Sequence, residues 1–156
     1  EIIMDGDHDI DTCMEVTEVV LRSLFGALYD QNVMLEGTIL KASMVISGKT
    51  CPEQASVEEV AEMTVRCLKS AVPAIVPGIV FLSGGQSDED ATAHLNAMNQ
   101  MGPHPWPLSF SYGRAMQAAA LKIWSKDLVG NVAAAQQTVY ARAKDNGLAA
   151  LGQWKK

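Results

Sequence analysis

The sequence has 156 residues, of which 48% are apolar, 19% charged and 6% aromatic, a composition typical of one soluble globular domain. Its 12 Lys and Arg residues stand against 18 Asp and Glu residues, so the net charge is -6. This balance disfavours a protein that binds nucleic acid through the phosphate backbone. The apolar runs are far shorter than the ~20 residues that a membrane-spanning helix needs, so no membrane partner is expected.

The cysteines and histidines do not form a metal-binding pattern. The three cysteines lie far apart and include no C-x-x-C pair: Cys13, Cys51 and Cys67. They predict a reduced, intracellular chain with buried or half-buried thiols, and we expect it in the cytoplasm without a metal or cofactor. The three histidines fall in different elements, and each is predicted to be a surface or loop residue: His8, His94 and His104.

Short apolar runs alternate with longer helical patterns along the chain, which is typical of βα units with a parallel sheet. The pattern predicts, in order, a helix over 11–30, a strand over 33–41, a helix over 56–70, a strand over 78–83, a helix over 87–100, a strand over 108–112, and helices over 114–124 and 129–144. Ser56 with Glu59 forms a capping box, and Gly147 is a natural helix stop. The predicted class is α/β, either half a barrel or a small open sheet.

The first predicted strand ends on a lysine after an almost wholly apolar run. If Lys41 shares its face with Gly37 and Ile39, it points into the closed side of the sheet. Burial there would favour the neutral amine, which can attack a carbonyl and form a Schiff base. The alternative is a lysine at the strand end that extends its ammonium group to solvent.

The two later strands end in glycine-rich loops, where parallel α/β folds collect their ligands. The loops read Ser83-Gly84-Gly85 and Ser111-Tyr112-Gly113-Arg114, and the second leads directly into a helix. Backbone N–H groups, a helix start and an arginine fork together predict one phosphate site. The alternative is that the glycines only ease tight turns between strand and helix.

The acidic N-terminal segment has the spacing of a calcium loop in part. Acids alternate at Asp5, Asp7, Asp9 and Asp11, but Thr12 stands where the sharp turn of such a loop requires glycine. We therefore expect a solvated acidic loop at a helix N-terminus, with calcium as the weaker alternative.

Three segments resemble the motifs of class I fructose-bisphosphate aldolases: LEGTILK over 35–41, FLSGGQS over 81–87 and FSYGRA over 110–115. The resemblance covers essentially the whole chain, including DGDHD over 5–9 and LNAMN over 95–99. It implies a (β/α)8 barrel, of which residues 1–156 are the C-terminal part with strands six to eight and their helices. The missing initiator Met fits a chain cut from a longer protein.

The resemblance also implies a role for each candidate residue. Lys41 is the Schiff-base lysine that captures the ketose of fructose 1,6-bisphosphate or dihydroxyacetone phosphate, without a metal. Glu1 matches the second Glu of the family's E-P-E motif and belongs to its carboxylate network. The residues implied to bind or line the site of the substrate phosphate are Leu82, Ser83, Gly84, Ser111, Gly113 and Arg114.

The chain is too short to close a barrel by itself, because a (β/α)8 barrel needs at least about 200 residues. We expect the isolated chain to expose strand edges, to self-associate or be marginally stable, and to be weakly active or inactive. The family implies a homotetramer. The alternatives are a non-catalytic fragment that keeps a phosphate-binding or subunit-contact surface, and an unrelated small sugar-phosphate binder.

Overall fold

The computed structural model describes residues 1–155, which form five helices and three short strands. They follow in the order α1 (Ile10–Asp30), a 3-10 turn (Leu35–Gly37), β1 (Leu40–Ala42), α2 (Val57–Ala71), β2 (Ile79–Phe81), α3 (Asp88–Gln100), β3 (Leu108–Phe110), α4 (Arg114–Trp124) and α5 (Val132–Ala149). The strands form one parallel sheet in the order β1-β2-β3. The predicted α/β class is confirmed. Within this part of the chain, no helix is both long and apolar enough to cross a membrane.

The two faces of the sheet differ in their burial. Leu40 pairs with Ile79 in register, and both are buried in one core with residues of α1, α2 and α3. The central strand is the most deeply buried, since Ile79 and Phe81 are 0% exposed. Lys41 pairs with Val80 on the opposite face, where Lys41 is exposed and Val80 is half-buried. Among the described residues, helices therefore bury one face of the sheet, and the face of Lys41 is more exposed.

The helix starts agree with the capping residues of the sequence. Ser56 and Glu59 form a complete capping box at α2, and the Ser87 hydroxyl accepts a hydrogen bond from Asp90 N at the start of α3. Such caps satisfy amide groups that a helix leaves unpaired at its N-terminus. The bounds of α4 agree with the predicted helix over 114–124.

The strand predicted over 33–41 is wrong in its first seven residues. Residues 35–37 form a 3-10 turn, and the strand begins only at Leu40. The Thr38 hydroxyl donates to Leu35 O at 2.8 Å, and Thr38 N donates to the same carbonyl at 3.1 Å. These local bonds replace strand pairing, while Leu35 is buried with 4% exposure. An apolar run that looks like a strand thus anchors a turn.

The last helix also differs from its prediction over 129–144. Its start is delayed because the Asp127 carboxylate accepts hydrogen bonds from Val129 N and Gly130 N, which hold a turn before α5. Gly147 does not stop it, since the helix continues to Ala149, which is fully buried. Packing of the last turn outweighs the cost of about 1 kcal/mol for an internal glycine.

The N-terminal segment lies across the loop that follows β1. Gly48 N donates to His8 O at 2.8 Å, and Lys49 N donates to Met4 O at 3.0 Å.

Two of the predicted loop acids have structural partners. Asp9 caps α1 by accepting from Thr12 N at 2.8 Å, and Asp5 pairs with the Lys49 ammonium at 2.8 Å. These contacts fit the acidic loop at a helix start better than the calcium alternative.

The three thiols are free, and their burial agrees with the sequence expectation. Cys13 and Cys67 are buried, and Cys51 is half-buried. Burial raises the pKa of the Cys67 thiol to about 11, so this thiol stays protonated at neutral pH.

The loop after β1 depends on one buried hydroxyl of α2. Thr64 Oγ1 accepts a hydrogen bond from Val45 N at 3.0 Å, and each residue is 1% exposed. Thr64→Val should lower the free energy of unfolding by about 1–3 kcal/mol, because it leaves a buried amide without an acceptor. Urea unfolding measures this loss. Thr138→Val, at a partly exposed position of α5, is the matched control and should change stability by less than ~0.5 kcal/mol. Equal effects of the two variants would refute the role of Thr64.

Candidate functional site

The carboxyl ends of β2 and β3 meet at one cavity of about 320 Å³. Ser83 follows β2 and Arg114 begins α4, and both line this cavity. The other lining residues come from the loops after β1 and β2 and from the starts of α3 and α4: Lys49, Gly85, Gln86, Asp88 and Ala115. The structure thus brings the two predicted phosphate loops to one space.

The electrostatics of this cavity favour an anion at its α4 side. Arg114 is exposed at the start of a helix that has no side-chain N-cap, so its first amide groups retain their positive potential. Lys49 adds a second cation, although its ammonium group already pairs with Asp5. Asp88 opposes them with a carboxylate in the wall. A phosphate would therefore sit nearer to Arg114 than to Asp88.

Of the six residues implied to bind or line the phosphate, Ser83 and Arg114 line the cavity. The remaining four lie within three positions of one of them along the chain: Leu82, Gly84, Ser111 and Gly113. Ser111 N donates to Phe81 O at 2.8 Å, which fixes the end of β3 against β2.

Different structural features explain the glycines of the two loops. Gly85 has a φ of 79°, and a Cβ there would lie 2.8 Å from Met4 Sδ, so the tight turn explains this glycine. At Gly113, φ is -93° and no atom lies within 4 Å of the Cβ position. A turn does not require glycine here. The open space before α4 fits close approach of a ligand to the backbone.

Lys41 is exposed among the described residues, which agrees with the alternative of a lysine at the strand end that extends to solvent. Gly37 belongs to the 3-10 turn, and Ile39, on the face of Lys41, is itself 58% exposed. On the same face of the sheet, Val80 is half-buried, so the exposure is greatest along β1. The register partner of Lys41 is Val80, three residues before Ser83. Three strand residues span about 10 Å, so Lys41 lies about that far from Ser83 along the strand direction, on the neighbouring strand.

The structure places Glu1 close to the same strand. Glu1 is exposed, and it lines a small cavity of about 60 Å³ together with Lys41. Ile2 N donates to the Ser43 hydroxyl at 3.5 Å, so the N-terminus lies beside the carboxyl end of β1. One predicted carboxylate and the predicted amine are thus neighbours.

Sequence reasoning missed Lys49, Gln86 and Asp88 in the cavity wall, and it was wrong about His94. His94 is 7% exposed in α3, and its Nδ1 lies 2.7 Å from the side-chain amide nitrogen of Gln86. The Gln86 amide nitrogen also lies 3.1 Å from Met44 Sδ. Burial lowers the pKa of His94, although the charges of Asp90 and Glu58 act in the opposite direction. The signal that could have identified Gln86 as a lining residue is its position directly after the glycine pair in the sequence.

A parallel sheet with glycine-rich loops at its carboxyl edge is typical of α/β proteins that bind ligands there, among them the (β/α)8 barrels. The chain belongs to the class I fructose-bisphosphate aldolases, because the family model described as fructose-bisphosphate aldolase class-I matches residues 1–156.

Individual relatives agree with this assignment. The probable fructose-bisphosphate aldolase class 1 of Xanthomonas campestris pv. campestris is 79% identical over 155 residues, which cover 99% of this chain and 46% of the relative. Fructose-bisphosphate aldolase 1 of Toxoplasma gondii is 57% identical over 154 residues, with 99% and 42% covered. The chain therefore spans about half the length of the curated relatives it matches.

A solved structure confirms the barrel-family fold. The fructose-bisphosphate aldolase of Plasmodium falciparum, solved in complex with TRAP and a small-molecule inhibitor, superposes with a TM-score of 0.95 at 46% identity. The match covers 99% of this chain and 44% of that one.

The buried His94 predicts a dependence of stability on pH. Because its pKa is lowered in the folded state, the unfolded state binds the proton first, and stability is lost as pH falls below about 6.5. His94→Asn should reduce this loss of stability between pH 7 and pH 5. For a single titrating group, the free energy of unfolding changes by at most about 1.4 kcal/mol per pH unit. Urea unfolding at a series of pH values measures it. His8→Asn retains His94 and should keep the wild-type slope; an unchanged slope in His94→Asn would contradict the assignment.

Proposed function

We propose that the protein carrying residues 1–156 is a class I fructose-bisphosphate aldolase of glycolysis and gluconeogenesis. It reversibly cleaves fructose 1,6-bisphosphate to dihydroxyacetone phosphate and glyceraldehyde 3-phosphate. The observation that carries the proposal is the match of the family model over residues 1–156, a range that includes Lys41 on β1 and both proposed phosphate loops.

The proposed chemistry begins at the amine of Lys41. Its neutral form attacks the ketose carbonyl at C2, and loss of water leaves a protonated imine. The imine accepts the electron pair of the C3–C4 bond as a base removes the C4 hydroxyl proton, so the aldehyde leaves and an enamine remains. Protonation of the enamine at C3 and hydrolysis release dihydroxyacetone phosphate and the free amine. The imine provides the electron sink, so this route requires no metal.

The proposed substrate phosphate binds in the cavity that Ser83 and Arg114 line. Gly84 and Gly113 offer backbone amides, and Leu82 and Ser111 complete the site. The register supports this arrangement, because Lys41 and Ser83 are separated by about 10 Å along the strand direction. A phosphorylated ketose held at its phosphate would extend along the sheet toward the amine.

The same proposal covers the remaining architecture. Residues 1–156 would form the C-terminal part of a single (β/α)8 barrel, with β1, β2 and β3 as strands six, seven and eight. Glu1 would join the carboxylate network beside Lys41, with which it lines a cavity. We further propose a homo-oligomer, a tetramer as the family implies, in the cytoplasm.

A second candidate is a non-catalytic fragment that keeps only a phosphate-binding or subunit-contact surface. The exposure of Lys41 favours it for the isolated chain, because the burial that would activate a lysine amine is not present there. The two candidates differ in whether Lys41 forms an imine.

Reductive trapping tests the proposed function. Incubation with dihydroxyacetone phosphate and borohydride should add one adduct per chain, because borohydride reduces an imine to a stable secondary amine. Intact-mass spectrometry measures the adduct, and peptide mapping should locate it on Lys41. Lys41→Ala should lose more than about 90% of the label if the amine is the nucleophile.

Lys69→Ala is the control for this experiment, since Lys69 is an exposed lysine in the last turn of α2. It should label like the wild type. Labelling spread over several surface lysines, or retained in Lys41→Ala, would reject the imine. A wild-type chain without label would instead support the non-catalytic fragment.

A further inference from the structure

An arginine of the last helix reaches the starts of two other helices. The side chain of Arg142, in α5, is 12% exposed. Its Nη2 donates to Asp88 O and to Thr92 Oγ1, the latter at 2.6 Å, and its Nε donates to Ala115 O at 3.3 Å. Asp88 is the first residue of α3 and Ala115 the second of α4. One guanidinium group thus joins the first turns of both helices.

A buried polar network fixes the position of this guanidinium group. Thr92 and Asn146 are both 0% exposed, and the Thr92 hydroxyl lies 2.8 Å from Asn146 Oδ1. The Asn146 amide nitrogen donates to Arg142 O at 3.0 Å and contacts Met116 Sδ at 3.2 Å. Such a satisfied network permits one arrangement of α3, α4 and α5.

The residues held by Arg142 belong to the candidate phosphate site. Asp88 and Ala115 both line the cavity of Ser83 and Arg114, and Arg142 contacts their carbonyls. It therefore acts on the relative position of the two loops without being a lining residue itself.

Packing alone does not account for an arginine at this position. Its charged neighbour is Asp145, whose carboxylate is 3.9 Å away, whereas the short contacts are to neutral acceptors. Removing a cation from water is costly, and an apolar side chain of similar volume fills such a site at least as stably. Unlike an apolar side chain, arginine presents several hydrogen-bond donors at fixed angles, so it can bind carbonyl groups of two different helices at once.

We propose that Arg142 is a positioning residue for phosphate binding: it holds the first turns of α3 and α4 together, so that Ser83 and Arg114 face one phosphate. This inference rests on the proposed function, since it assigns the cavity to the substrate phosphate. Arg142 acts through the helices and does not touch the ligand.

The test compares Arg142→Met and Arg142→Lys with the wild type in the full chain. Isothermal titration with dihydroxyacetone phosphate gives the Kd of the folded protein, below the unfolding transition of each variant. Arg142→Met should weaken binding about tenfold or more, since small displacements of binding groups have effects of this size. Arg142→Lys, which keeps the charge but not the fork, should recover only part of the affinity. Arg22→Met removes an exposed arginine paired with Glu18 and should leave Kd unchanged.

Hydrogen exchange provides a second readout that does not depend on the ligand. Peptides over 88–92 and 114–118 should exchange faster in both Arg142 variants, while peptides of α1 keep the wild-type rate. If Arg142→Met folds poorly, Arg142→Lys decides the matter by the same two measurements. Unchanged Kd with unchanged exchange in these segments overturns the positioning role.

Arg114→Met separates this inference from the proposed function. If the wild type binds the phosphate and Arg114→Met does not, while the Arg142 variants bind normally, only the positioning role fails. If wild type and Arg114→Met bind equally poorly, the phosphate assignment itself fails and the inference fails with it.

Discussion

The site depends on the parallel pairing of three short strands, of which the central strand buries Ile79 and Phe81 completely. Because β2 pairs with β1 through Leu40 and Ile79, and with β3 through Ile79 and Leu108, all three strands end at the same edge. Parallel strands need a crossover connection between them, and α2 and α3 supply the two crossovers of this sheet. The loop of Ser83 and the start of α4 at Arg114 therefore meet by topology, although 31 positions separate these residues in the sequence.

Topology brings the loops to one edge, but side chains set their spacing. The Tyr112 hydroxyl donates to Ala91 O at 2.8 Å and ties the loop after β3 to α3. Arg142 joins the same two parts of the fold from the far side, through α5. The network extends into Asn146, which is fully buried in the last helix. The C-terminal helix is thus part of the support of a site that it does not line.

The elements that the sequence predicted well are those with strong local signals. The capping box of Ser56 and the acid-rich start of α3 act over a few residues, so the pattern alone locates them. The prediction of a strand over 33–41 failed because Thr38 forms local hydrogen bonds, and the pattern of apolar residues does not indicate such bonds. Lys49 and Arg142 carried no signal at all, since nonlocal contacts bring them to their partners: Lys49 pairs across 44 positions, and Arg142 contacts Asp88 across 54. Such contacts exist only once the chain is folded.

The exposure of the sheet face that carries Lys41 bears on how its amine could be activated, and it is related to the length of the chain. A lysine that forms an imine must lose its proton at neutral pH, and it does so when burial or neighbouring cations disfavour the ammonium form. In residues 1–155 the face of Lys41 also carries Ile39, which is more than half exposed. The groups that would desolvate the amine must therefore come from beyond these residues or from another copy. The relatives are about twice as long, and a closed barrel would cover this face. In the proposed enzyme, these residues would supply the amine and the phosphate loops, and closure of the barrel would supply the environment that activates the amine.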